Sequence, residues 1–103
     1  MEVEILNTSQ GQAVYVNASS VELEAEGKTA EGYSTIKITL IVQNQTHDFS
    51  GFLLQGGHRV LLPEDASHLM IHALCNNQEI TLSIGIYSTI LIPNNFIKHY
   101  QSL

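Results

Sequence analysis

Tryptophan is absent from this chain, cysteine occurs once, proline twice, and Lys and Arg together number four. Each shortage closes off a class of explanation. A single cysteine, Cys75, allows no internal disulfide, so a packed core must hold the fold. Its neighbours Leu74 and Asn76 bring no His or carboxylate beside the thiol, and it reads as a small half-buried hydrophobe. The cations Lys28, Lys37, Arg59 and Lys98 are scattered among ten acids, for a formal charge of −6. Nucleic-acid binding needs a basic footprint that displaces counterions, so nucleic acid is excluded as a partner. No apolar run approaches the ~18 residues that span a bilayer. The acidic start MEVEILNTSQ does not read as a secretory leader, and no targeting signal assigns a compartment.

What is present points to strands. The 103 residues suit one domain, residues 1–103, able to bury its own core. Only 14% of residues are charged, and Asn, Gln, Ser and Thr fill the polar positions instead. That mixture serves pleated surfaces and turns better than exposed helices. In Ser34 to Gln43 the even positions Ile36, Ile38, Leu40 and Val42 are apolar and most odd positions polar, the period of a half-buried strand. From Glu79 to Ile92 the even positions Ile80, Leu82, Ile84, Ile86, Ile90 and Ile92 again share one parity. This is long for a strand, and Gly85 or Ser88 marks a bulge or bend within it. Shorter alternations occur around Val3 and Ile5, Val14 and Val16, and Val21, Leu23 and Ala25. Phe49 to Leu54 and Arg59 to Leu62 flank Gly56-Gly57 as the arms of a hairpin. Turn signals recur about every ten residues, which predicts an all-β, two-sheet antiparallel sandwich of about seven or eight strands.

Asp65 to Cys75 supports two readings. Ala66, Leu69, Met70, Ala73 and Leu74 trace a helical stripe with Asp65 as a candidate N-cap. As a strand, the same stretch turns Leu69, Ile71, Ala73 and Cys75 inward. The strand is preferred because a turn and a strong strand follow at once.

No catalytic constellation is legible, and no cofactor is implied. His68 and His72 lie four apart, but zinc needs at least a third ligand and none has the spacing. His47-Asp48 resembles an acid–base fragment and reads better as an exposed turn, while His58 and His99 have no visible partner. Nucleophile elbows, phosphate loops and dinucleotide fingerprints are missing. Three stretches match the glycosylation acceptor pattern, at Asn7, Asn17 and Asn44, as expected by chance in a chain rich in Asn, Ser and Thr.

Two surface features remain. Glu22, Glu24 and Glu26 alternate and, on a strand, form an acidic stripe. That stripe reads as a solvated edge that discourages sheet pairing, or as a site for Ca²⁺ or a basic partner. Ile90, Leu91 and Ile92 precede Pro93, with Phe96 and Ile97 after Asn94-Asn95. They close the bottom of the core or form an apolar tip that touches a membrane or a protein.

The order of GQAVYV (residues 11–16), LPEDASHLMIHA (62–73), Cys75 and LSIGIYSTILIPNNFIKHY (82–100) resembles the C-terminal β-sandwich domain of the cholesterol-dependent, thiol-activated cytolysins. The resemblance implies a sandwich, a strand after the Pro63 corner, and surface binding through loops at one end. Those loops carry Asn76 and Asn77 on one side and Thr89, Ile90, Leu91, Asn94 and Asn95 on the other. The Trp-rich loop of that family is replaced here by Asn76-Asn77-Gln78, and its Thr-Leu pair falls on Ile90-Leu91. Sterol recognition and pore formation are therefore not implied. The expectation is a non-catalytic binding module for a membrane surface, glycan or protein. The alternative is a structural or inhibitory interaction domain, oligomeric through a strand edge or the stripe.

Overall fold

The alternation of Ile36, Ile38, Leu40 and Val42 becomes the centre of the molecule. In the computed structural model, which describes residues 2–9, 11–18 and 21–93, all four side chains are buried. They lie on β4 (Ser34–Val42), which pairs along its length with β5 (Gln45–Leu53) and over its second half with β7 (Ile80–Ile84). β5 continues to β6 (Arg59–Leu61), then β2 (Gly11–Asn17) and β1 (Glu2–Thr8). On the other side β7 leads to β8 (Tyr87–Leu91), and the short β3 (Gly27–Lys28) pairs with the start of β4. The order is β1-β2-β6-β5-β4-β7-β8, all antiparallel. The sheet curves into a half-barrel.

The mostly β expectation holds. The expected second sheet is not seen among the described residues, because a helix covers the concave face. α1 (Glu64–Cys75) packs against β2, β4 and β7. It buries Ala66, Ser67, Met70, Ala73 and Leu74, the stripe of an amphipathic helix. This corrects the preferred strand reading of residues 65–75: Cys75, inward on a strand, is exposed. Pro63 enters the helix in extended geometry, and Asp65 sits in the first turn rather than at the N-cap. With Glu64 it faces the positive end of the helix dipole. Of the two periodicities the stretch carried, the helical one also fits a concave sheet face that already presents a row of isoleucines and valines.

Two hairpins fix the register around β4. Gln43 and Asn44, with φ of 50° and 65°, form the two-residue loop between β4 and β5, the φ pattern of a type I′ turn. Gly85, φ 60°, and Ile86 form the loop between β7 and β8. Positive φ at the first position alone is the type II′ pattern, which calls for glycine there. Glu79 to Ile92 is thus not one bent strand but a hairpin.

That turn inverts the side-chain pattern. Ile84 pairs with Tyr87, Leu82 with Thr89 and Ile80 with Leu91, and directly opposed residues share a face. The core therefore receives Leu91 and the half-buried Tyr87 and Thr89, all odd-numbered, while even-numbered Ile90 turns outward. On the convex face, the Arg59 guanidinium lies 3.9 Å from the Tyr15 ring centroid and pairs with Glu4, tying β6 to β1 across β2.

Candidate functional site

The acidic segment owes its place to backbone bonds from two directions. The Leu23 amide donates to the Gly57 carbonyl at 2.7 Å, and the Glu26 amide donates to the Thr35 carbonyl at 2.8 Å. His58 Nδ1 donates to the Val21 carbonyl at 2.7 Å and lies 3.2 Å from that of Ala18. Both partners are carbonyls, so this nitrogen carries the proton. Gly57 is itself buried at φ 75°, and a Cβ there would sit 2.8 Å from the Leu23 carbonyl oxygen. Only glycine permits that approach.

Leu23 is thus pulled into the core while Glu22, Glu24 and Glu26 stay exposed. The three residues are not on a strand, which corrects the stripe expected from their alternation. They occupy an extended crossing held at Gly57 and Thr35. Glu26 Oε1 also accepts a 2.6 Å bond from the Lys37 amide. Glu22 and Glu24 have no ion-pair or hydrogen-bond partner among the described residues.

This crossing faces the β7–β8 turn. Between them lies a cleft of about 310 Å³ lined by Glu22, Leu23, Glu24, Glu26, Ile36, Gly85, Ile86 and Tyr87. The acidic segment therefore meets the turn of the hairpin, through Ile86, while Ile90, Leu91 and Ile92 do not line the cleft. Ile86 is 91% exposed at the turn, and Ile90, on the same hairpin, is 62% exposed. A two-residue loop opening with glycine was the signal that could have revealed them.

The other expected contacts divide. Asn76 and Asn77 close α1. The Asn77 amide donates to the Leu74 carbonyl and the Gln78 amide to the Ala73 carbonyl, with Asn77 at φ 60°, the arrangement of a Schellman motif. The Asn76 side chain donates to the His72 carbonyl at 2.7 Å. Their bonds serve the helix end. Thr89 is half-buried opposite Leu82, Leu91 is buried opposite Ile80, and Ile90 alone of that trio offers an exposed side chain. Because Leu91 pairs with Ile80, the end of β8 lies at the same end of the sheet as the Asn76–Asn77 corner, away from the acidic cleft. Asn94 and Asn95 lie outside the described residues.

The described histidines do not converge. His68 and His72 project from the exposed face of α1, and no group of three potential metal ligands occurs among the described residues. His47 and Asp48 are neighbours on β5 and so point to opposite faces. Asp48 accepts from Thr39 Oγ1 at 2.8 Å and lies 3.8 Å from Lys37 Nζ. No helix among the described residues is long and apolar enough to cross a membrane.

No protein-family model, curated protein or solved structure matches the chain.

Proposed function

We propose that this chain is a non-catalytic module that binds another protein through the β7–β8 hairpin. The supporting observation is the pair of outward isoleucines, Ile86 and Ile90, with the half-exposed Ile92 following them. Apolar side chains grouped on one edge hairpin mark a contact surface more than scattered single ones do. A glycan site would draw on aromatic platforms, and among the described residues Tyr33 is the one largely exposed aromatic side chain. Anionic lipid is disfavoured by the carboxylates of Glu22, Glu24 and Glu26 beside the turn and by the net charge of −6. A protein partner remains the best fit.

Photo-crosslinking inside the producing cell tests this reading. A crosslinking side chain at position 90 is expected to give a discrete protein adduct, and one at exposed Ser50 is not. The adduct should vanish when Ile86→Lys is added. Equal adducts from both positions, or binding to vesicles or glycans with no adduct, would overturn it.

A further inference from the structure

The cleft beside this hairpin has a chemistry of its own. Its inner lining is apolar: Leu23 and Ile36 are buried, Tyr87 is half-buried, and Ile86 stands at the lip. Its opposite wall carries three carboxylates, one of which is engaged by the Lys37 amide. Among the described residues Glu22 and Glu24 have no cation beside them, and Lys37, which lines a smaller neighbouring hollow with Glu26, is drawn to Asp48. At about 310 Å³ the space lies at the small end of ligand pockets, the scale of an anchoring side chain rather than of a folded surface.

We propose that this cleft is a docking groove for a short cationic segment of another protein, with one apolar side chain entering between Leu23, Ile36 and Tyr87 and flanking Lys or Arg residues meeting Glu22 and Glu24. Charge complementarity selects that occupant. A second copy of this chain brings its own −6 charge and only four cations, so it is a poor complement. Partner charges at a rim act mainly by steering and selecting, while the apolar anchor supplies the short-range contact. The proposal rests on the reading of the β7–β8 hairpin as a contact surface and assigns its partner chemistry at the turn.

The test is a titration of the isotope-labelled full chain, read by amide chemical shifts, with the capped peptide Lys-Lys-Leu-Lys-Lys. Two controls replace the lysines with glutamates or the leucine with serine. Saturable shifts are expected within residues 22–26, at Ile36 and within 85–87, weakening as salt rises. The double variant Glu22→Gln/Glu24→Gln, at two exposed positions, should bind about tenfold more weakly. The inference is overturned by shifts spread over every acidic surface, by equal binding of the serine peptide, or by no saturable shift. If the crosslink from position 90 persists while the peptide fails, the groove falls and the hairpin contact stands. If the peptide binds while the crosslink is absent, the groove survives as an isolated site.

Discussion

The carboxylate of Glu26 takes the place of a missing strand for Lys37. β3 pairs with Ser34 and Thr35, and β7 first meets β4 at Ile38, so among the described residues the intervening amide of Lys37 has no strand partner on that side. Glu26 Oε1 accepts it at 2.6 Å. Replacing Glu26 with Ala should free the 22–26 crossing, and hydrogen exchange at the Leu23 and Glu26 amides should accelerate. Glu26→Gln, which keeps an acceptor, should leave most protection in place.

The inversion at the β7–β8 turn makes a paired prediction. Ile84 and Ile90 are isoleucines of the same parity, six residues apart. Ile90→Lys should change stability by no more than about 0.5 kcal/mol, as for an exposed position. Ile84→Lys, which places an unpaired charge in the core, should abolish cooperative unfolding. Denaturant titrations read by circular dichroism compare the two, and similar losses would overturn this division of inward and outward faces.

Met70 measures how much the helix contributes as the lid of the half-barrel. It is wholly buried on α1 and belongs to the continuous core. Met70→Ala should cost about 2–5 kcal/mol, lowering the denaturant midpoint at an unchanged slope. Exposed His68→Ala on the opposite face of the same helix should cost far less.

Two glycines separate backbone strain from crowding. Gly85 adopts φ 60° in open space, so Gly85→Ala meets only the conformational cost, about 1–2 kcal/mol. Gly57→Ala adds contact with the Leu23 carbonyl and should cost more. It should also disturb Glu22–Glu24 amide shifts, which Gly85→Ala should leave in place.

Asn77 gives the last comparison. Its φ of 60° ends α1, so Asn77→Gly should be neutral or stabilising, whereas Asn77→Ala should lower the melting temperature. A residue kept for its side-chain chemistry would lose function with either change.

Much of this architecture was legible from residue order, and the misreadings have physical origins. Ser34 to Val42 was plain because its inward positions are all large and β-branched or leucine, so only one face can be buried. Residues 65–75 misled because Ala73 lies inward under both periods, and the covering role of a helix depends on the curvature of a sheet assembled elsewhere. Glu79 to Ile92 misled more subtly. A two-residue loop preserves the count of alternation in the sequence while reversing its direction in space, so Ile90 looked like core. Glu22, Glu24 and Glu26 alternate as a strand would, yet their segment is held by single bonds to Gly57 and Thr35 instead of a ladder. The cleft could not be read at all, since it joins parts of the chain some sixty residues apart.

The brevity of the Gly85-Ile86 loop also governs how adhesive the edge strand is. One more residue in the loop, taken from β8 by a single-step slip, would set Leu82 against Ile90 and Ile80 against Ile92. Those isoleucines would then be drawn inward, and Leu91 would turn out. Surface stickiness at this edge is therefore a property of strand alignment as well as of composition, and the hairpin turn holds the setting.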